Sequence, residues 1–228
     1  VKIDLHTHSS DSDGTESPAD VARAARAAGL DVFALTDHDT TSGWRAAGDT
    51  AVALGVAFVP GMEISCTTGD GISVHLLSYL HDPREPRLLA EIESSRCSRR
   101  TRAERMVELL SEDYPIDWDV VLDHVHEGAT VGRPHIADAL VSVGVVENRT
   151  AAFASVLHSR SRYYVPHYAP DPVHAVRLVR AAGGVPVFAH PLAEARGRVV
   201  GPEVFEAMID AGLGGLEVAH RDNPDEAR

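Results

Sequence analysis

Two histidines near the start of the chain, His6 and His8, have a spacing that suits a metal site. Alternate residues of a strand point to the same side, so both imidazoles can reach one ion. On its own the pair is equally compatible with two histidines in a loop. Asp13 follows in a glycine-containing segment directly after the same predicted strand, and its carboxylate adds an oxygen ligand to the two nitrogens.

Four more histidines and carboxylates lie at or near the ends of later predicted strands. They are His38, Glu63, His75 and His190. In parallel β/α folds the functional groups collect at the carboxyl edge of the sheet. A buried ionisable group is costly unless it is paired or bound to a metal. Chance or packing therefore explains the whole set poorly, although any single member could instead support the true ligands.

These seven side chains offer nitrogen and carboxylate oxygen but no thiolate. Such a set suits Zn²⁺, Mn²⁺ or Fe²⁺ and does not choose among them. Seven candidates exceed what one tetrahedral ion takes, so two or three divalent ions sharing a bridging carboxylate fit better. A cluster of this kind generates hydroxide near neutral pH and stabilises both the attacking and the leaving oxygen of an in-line displacement. The two cysteines, Cys66 and Cys97, are too few for a cysteine-based zinc site.

The elements that must position these side chains alternate between strand and helix patterns, which predicts a parallel sheet or barrel. Strands are predicted near residues 3–8, 32–35, 56–59, 72–80, 185–189 and 216–219. Between 83 and 162 no buried strand pattern occurs, and the apolar residues have helical spacing instead. We therefore divide the chain into a discontinuous β/α domain, 1–82 and 163–228, and a helical insertion, 83–162.

Length and charge exclude several classes of protein. The 228 residues, 44% of them hydrophobic, suit one large domain or a domain with an insertion. A net charge of −13 argues against broad electrostatic capture of nucleic acid, and no duplex DNA partner is expected. No segment is apolar enough to span a membrane. The absence of a signal-peptide pattern and the scarcity of cysteine favour a cytoplasmic protein with reduced thiols.

The motifs around these residues, taken together, resemble the PHP (polymerase and histidinol phosphatase) family. The likeness is strongest to its stand-alone, TrpH-like phosphoesterases. The motifs are His6-Thr7-His8-Ser9, Asp13-Gly14, Thr36-Asp37-His38-Asp39, Gly61-Met62-Glu63-Ile64-Ser65, Val74-His75-Leu76-Leu77 and Ala189-His190-Pro191. The resemblance implies an α/β fold, a distorted seven-stranded β/α (TIM-like) barrel. It also implies one metal on His6, His8 and Glu63, a second on Glu63, His75 and His190, and a third on Asp13 and His38.

The family's last motif, an Asp-x-His after the final strand, has no counterpart in this chain. We expect it beyond Arg228, together with the last barrel unit. His220 and Asp222 have the wrong order and spacing to replace it.

Within the insertion, Gly132-Arg133-Pro134-His135 resembles a substrate-binding motif of the same group. Proline at the first helical position places Arg133 at a helix N-terminus, where phosphate binds well. The spacing alone favours an ordinary surface arginine, whereas the resemblance favours Arg133 and His135 as phosphate ligands. A run of arginines at 96, 99, 100, 102 and 105 is expected to form a solvated helix face, or else to line a path for a single-stranded oligonucleotide.

The resulting hypothesis is a metal-dependent phosphoesterase. Its substrate would be a nucleotide, a nucleoside bisphosphate, an oligoribonucleotide end or a sugar phosphate. One alternative is a metal-dependent C–N bond hydrolase of the amidohydrolase type, which often uses a modified bridging lysine. The only lysine here is Lys2, in the first strand. The other alternative is a non-enzymatic metal-binding module.

Overall fold

The computed structural model describes residues 1–126, 128–194 and 197–224. Six strands occur there: β1 (Ile3–Thr7), β2 (Val32–Leu35), β3 (Ala57–Thr67), β4 (Ser73–Tyr79), β5 (Val185–Phe188) and β6 (Gly215–Leu216). They form one sheet in the same order as in the chain, so each strand pairs with its neighbours in sequence. The fold is therefore of the α/β class, as the alternating patterns predict.

Eight helices lie in the same residues: α1 (Pro18–Ala27), α2 (Trp44–Leu54), α3 (Pro86–Leu110), α4 (Trp118–Leu122), α5 (Arg133–Ser142), α6 (Arg149–Ser155), α7 (Pro172–Ala181) and α8 (Pro202–Asp210). Several begin at side-chain caps that the sequence predicts. Ser17 accepts a hydrogen bond from the Asp20 N–H, and Asp171 accepts from the N–H groups of Val173 and His174. No helix among the described residues is long and apolar enough to cross a bilayer.

The direction of β4 differs from the expected parallel arrangement. β4 runs antiparallel to both β3 and β5, whereas the β1–β2, β2–β3 and β5–β6 pairs are parallel. The cause is a tight turn after Thr67, in which Gly71 N–H donates to the Thr68 carbonyl and Thr68 N–H to the Ile72 carbonyl. A turn this short permits only an antiparallel return, because a parallel crossover needs a dozen or more residues.

The sheet curls so that distant strands approach each other. The Tyr79 hydroxyl, on β4, donates a 2.8 Å hydrogen bond to the carbonyl of Leu5 on β1. Beyond β6, Glu217 accepts a hydrogen bond from His6 of β1. These contacts define a curled half-barrel of six strands, consistent with a TIM-like barrel. The seventh strand and a further barrel unit stay predictions.

The segment between 83 and 162 contains α3, α4, α5 and α6, and its described residues include no strand. These helices enclose a hydrophobic core of their own, centred on Met106, Leu110, Ile136, Leu140 and Leu157. The sheet and the helices on its faces enclose other apolar clusters. The domain boundaries at 83 and 162 remain our proposal.

Candidate metal centre

A single buried carboxylate, Glu63, lies at the centre of the predicted site. The sequence predicts that Glu63 follows a strand over 56–59, but β3 continues to Thr67 because its second half pairs with β4. Glu63 therefore occupies the middle of β3, where it is 1% exposed. Its Oε2 atom is 3.1 Å from His6 Nε2, 3.0 Å from His8 Nε2 and 3.4 Å from His38 Nε2. On the other side, Oε1 is 2.7 Å from His75 Nδ1 and 3.3 Å from His190 Nε2. The two oxygens thus divide five imidazoles into a group of three and a group of two.

Asp13 extends this cluster on the side of His38. Its Oδ1 atom is 3.5 Å from His8 Nδ1, and its Oδ2 atom is 3.8 Å from His38 Nε2. The ligand atoms of His8, Asp13 and His38 lie within 4.8 Å of one another, as do those of His6, His8 and Glu63. All seven residues singled out in the sequence therefore meet at one edge of the sheet. Their roles as ligands stay a prediction.

The loop that carries Asp13 is held by close packing and by a buried carboxylate. A side chain on Gly14 would bring its Cβ to 2.5 Å from the His8 carbonyl oxygen, so only glycine fits there. Asp37 accepts hydrogen bonds from the backbone N–H and hydroxyl of Ser9 and from the hydroxyl of Ser12. Asp37 therefore supports the loop and does not face the imidazoles.

Backbone strain is concentrated at the same edge. His190 follows β5 with a φ of 32°, and Asp39 follows His38 with a φ of 52°. Left-handed φ values are unfavourable for residues with a Cβ, and they persist where the surrounding structure fixes them. Asp39 is fixed by accepting a hydrogen bond from the Ser65 N–H and by pairing with Arg99.

The charges of the cluster favour a bound cation. Burial would raise the pKa of Glu63, but the imidazoles of His38, His75 and His6 hold this pKa well below its usual value. Burial lowers the pKa of His6, yet the carboxylates of Glu63 and Glu217 outweigh it and raise the pKa to about 10. Without a metal, these carboxylates attract a proton to His6. A divalent ion would take the place of that positive charge.

His38 is in the opposite state. Burial lowers the pKa of His38 to about 3, so its imidazole is neutral at physiological pH, as a metal ligand must be. Its Nδ1 atom is buried and has no hydrogen-bond partner among the described residues. The donor set and its protonation therefore fit divalent metal ions.

Comparison with known proteins agrees with this geometry. The sequence profile of the PHP domain family matches residues 4–151. The chain belongs to the PHP domain family.

Two relatives match almost the whole chain. A 5'-3' exoribonuclease of Haemophilus influenzae is 32% identical over 96% of this chain and 79% of its own length. A 3',5'-nucleoside bisphosphate phosphatase of Chromobacterium violaceum is 34% identical over 96% of this chain and 77% of its own length. The crystal structure of a provisionally assigned metal-dependent phosphoesterase from Bifidobacterium adolescentis has a TM-score of 0.96. Its sequence is 43% identical, and the match covers 100% of this chain and 80% of the Bifidobacterium chain.

Sequence reasoning missed one carboxylate of this PHP site. Glu217 follows β6 directly, and its Oε1 accepts a 2.9 Å hydrogen bond from His6 Nδ1. Its Oε2 accepts a 2.9 Å hydrogen bond from the backbone N–H of His190. His220 lies nearby, with its ring centre 4.9 Å from that of His190. His6, Glu217 and His220 form a further group whose ligand atoms lie within 4.8 Å of one another.

The two predicted phosphate ligands, Arg133 and His135, face different surroundings. Arg133 lies over the rings of Phe153 and Tyr164, with its guanidinium carbon 5.3 and 5.7 Å from their centres. His135 Nδ1 accepts a hydrogen bond from the Gly132 N–H, which leaves Nε2 as the protonated nitrogen of the neutral ring. His135 lines a separate polar cleft together with Arg149. Their shared role in phosphate binding stays a prediction.

The expected solvated face of α3 is wrong at two positions. Arg102 is only 7% exposed, and the side chain of Arg99 is 12% exposed. Arg100 and Arg105 remain exposed and pair with glutamates on the same helix. Arg99 and Arg102 share the buried stripe of α3 with Ser95 and Met106, because residues three and four apart lie on one helix face.

Proposed function

We propose that this chain is a metal-dependent phosphoesterase that hydrolyses a phosphate ester on a nucleoside bisphosphate or at the end of a short RNA. The observation that carries the proposal is the Glu63 carboxylate, whose two oxygens face five imidazole nitrogens at 2.7–3.4 Å. A carboxylate with a group of imidazoles on each oxygen is suited to bridge two divalent ions. Relatives named for these two activities support the choice of substrate.

The ligand sets follow from how the side chains are grouped. We assign His6, His8 and Glu63 to one ion, and Glu63, His75 and His190 to a second. Asp13 and His38 are the candidates for a third, weaker site, since they supply two ligands between them. Divalent ions bound to these residues, Mn²⁺, Zn²⁺ or Fe²⁺, would supply an activated water nucleophile and positive charge against the phosphoryl oxygens.

The residues of this chain position the substrate and the ligands. Arg133, the first residue of α5, is the candidate to bind a phosphate group of the substrate, because a guanidinium can donate two parallel hydrogen bonds to phosphate oxygens. Asp37 and Gly14 hold the loop that carries Asp13. Glu217 fixes the ring of His6 and keeps its Nε2 directed at Glu63.

The amidohydrolase alternative has no supporting residue. A bridging modified lysine requires a lysine in the cluster, whereas Lys2 is exposed and its backbone N–H donates to Asp31. The bridging position is taken by Glu63. A non-enzymatic module is disfavoured as well, because all seven candidate ligands are present and the relatives are enzymes.

The test is turnover of p-nitrophenyl phosphate and of adenosine 3',5'-bisphosphate by chelator-treated protein, before and after Mn²⁺ is restored. Phosphate release should depend on the metal. Replacing Glu63 by glutamine removes a buried charge that faces five imidazoles, so kcat/KM should fall about 10²- to 10³-fold. Glu93→Gln, on the exposed face of α3, is the matched control. Equal rates with and without metal, or an unaffected Glu63→Gln enzyme, would overturn the proposal.

A further inference from the structure

Three arginines converge beside the metal centre, between the helical segment and the sheet. Arg99 and Arg102 lie on the buried face of α3, and Arg133 is the first residue of α5. They are close enough to influence one another's charge. Burial and the neighbouring guanidinium of Arg133 lower the pKa of Arg102 to about 9.

Among the residues that the structure describes, only one of the three arginines has a carboxylate partner. The Nε atom of Arg99 is 2.8 Å from Asp39 Oδ2. Arg102 Nε donates to the carbonyl of Val165 at 2.9 Å, and an Arg133 terminal N–H donates to the carbonyl of Leu157 at 3.2 Å. No carboxylate in the described part of the chain pairs with either of these two. The carbonyls satisfy hydrogen bonds but leave the positive charge uncompensated.

Aromatic packing explains how the arginines are held but does not neutralise them. The guanidinium carbons of Arg102 and Arg133 lie 5.4 and 5.7 Å from the centre of the Tyr164 ring. Cation–π contacts of this kind stabilise a guanidinium only modestly. Burying a charge without a counter-charge costs more than such contacts return. The arrangement is therefore explained best by a ligand that brings negative charge.

A histidine completes the surroundings. His167 Nε2 is buried and has no hydrogen-bond partner among the residues that the structure describes. Burial and the charges of Arg102, Arg99, Arg133 and His75 lower the pKa of His167 to about 3, so the ring is neutral. A neutral imidazole still offers one N–H donor. The cluster of Arg99, Arg102, Arg133 and His167 adjoins the candidate metal centre, because Arg99 pairs with Asp39, the residue directly after His38.

We propose that this arginine cluster is an anion subsite for a second phosphoryl group of the substrate, distinct from the group being hydrolysed. The inference rests on the proposed function and specifies its substrate class. A phosphate oxyanion supplies the missing negative charge and matches the forked donors of arginine. The second group is either the other monoester of a nucleoside bisphosphate or the next diester of a short RNA.

The test compares substrates that differ only in the second phosphate. We expect kcat/KM for adenosine 3',5'-bisphosphate to exceed that for adenosine 3'-monophosphate at least 10-fold. Arg102→Gln should lower this ratio by about 10- to 100-fold, the loss expected for hydrogen bonds to a charged group. Arg105→Gln is the matched control, because Arg105 lies on the same helix, is exposed and pairs only with Glu108 among the residues described. It should leave the ratio unchanged.

A third substrate, a 5'-phosphorylated diadenosine dinucleotide, identifies the source of the second phosphoryl group. Faster turnover of the dinucleotide than of the bisphosphate indicates an RNA diester, and the reverse order indicates a mononucleotide. Either order supports the subsite. Equal kcat/KM for adenosine 3',5'-bisphosphate and adenosine 3'-monophosphate in the unmodified enzyme would overturn the subsite, even though phosphoesterase activity itself would stand.

Binding to the metal-free protein separates the subsite from the catalytic proposal. Calorimetry with adenosine 3',5'-bisphosphate should detect binding that Arg102→Gln weakens about 10-fold or more. Because Arg102 also holds the Val165 carbonyl, His167→Gln serves as a second variant that leaves that bond intact, and it should weaken the same binding. Protein that binds the bisphosphate in this way but hydrolyses no phosphate ester with any metal would refute the proposed function alone. Binding that neither variant weakens would overturn the subsite.

Discussion

Replacing Glu217 by glutamine tests whether this carboxylate positions a metal ligand. In the structure its two oxygens accept hydrogen bonds from His6 Nδ1 and from the His190 N–H, each 2.9 Å long. Glutamine is nearly the same size but has one acceptor oxygen and one NH₂ group. It cannot accept from both donors, so at least one charge-assisted hydrogen bond is lost.

The magnitude follows from that count. A hydrogen bond to a charged group contributes about 1.5–3 kcal/mol, which corresponds to roughly 10- to 150-fold in a dissociation constant. Outer-shell partners of metal-bound histidines have effects of similar size, about 10- to 100-fold. We therefore expect Glu217→Gln to weaken one metal site by about 10- to 100-fold without unfolding the protein.

The assay is a titration of chelator-treated protein with Zn²⁺ in competition with a chromophoric chelator. It gives both the number of ions bound and their dissociation constants. Glu206→Gln, an exposed glutamate on α8, is the control and should match the unmodified protein. Combining Glu217→Gln with His6→Asn should cost no more than His6→Asn alone for the ion that His6 holds, because Glu217 acts on that ion through His6.

Two results would refute this reasoning. Unchanged affinity and stoichiometry in Glu217→Gln would mean that His6 needs no outer carboxylate. Complete loss of one ion would instead make Glu217 a direct ligand, in the group that it forms with His6 and His220.

Three further changes have expected outcomes. Arg133→Ala should lower kcat/KM for adenosine 3',5'-bisphosphate by about 1.5–3 kcal/mol of transition-state binding, with metal content unchanged; kinetics alongside metal analysis checks this. Gly14→Ala should destabilise the protein by about 1–3 kcal/mol in urea unfolding and weaken metal binding, because its Cβ would meet the His8 backbone at 2.5 Å. Burial lowers the pKa of His81 to about 4, so between pH 6.5 and 4 the unfolded chain binds a proton there that the folded protein does not. The free energy of unfolding should therefore decrease as the pH is lowered through that window, by up to about 1.4 kcal/mol per pH unit for this group. Urea unfolding of His81→Gln at pH 6.5 and 4.5 should show a smaller fall than the unmodified protein.

The convergence of the candidate ligands could be predicted from sequence because most of them lie close to a strand end. Glu63 is the exception, since β3 continues to Thr67 and places it in mid-strand. That logic held for β4, although its direction was predicted wrongly. His75 lies near the beginning of β4 rather than its end, and the antiparallel direction brings it to the same edge as Glu63. The residues Gly69-Asp70-Gly71 are typical of a hairpin turn and indicate antiparallel pairing. The apolar pattern of a strand does not indicate whether the strand runs parallel or antiparallel to its neighbour.

Glu217 was missed because the length of the last strand was misjudged. The apolar pattern suggests a strand over 216–219, which would make Glu217 an interior position. The observed β6 is only Gly215–Leu216, so Glu217 is the first residue after it. The rule that strand ends carry the functional groups would have selected it, but strand boundaries are the least certain part of a prediction from sequence.

Arg99 and Arg102 show where charge and periodicity give opposite predictions. A run of five arginines suggests a solvated surface, yet positions 99 and 102 continue the buried stripe that Ile92, Ser95 and Met106 define along α3. Periodicity determines which face of a helix is buried. The residue type then determines the free-energy cost of burying each position. Two guanidiniums on a covered face, with one carboxylate between them, are expensive for folding alone. The same two side chains become favourable when a phosphorylated substrate supplies the counter-charge, which is the reason to seek the substrate's second phosphate at this position.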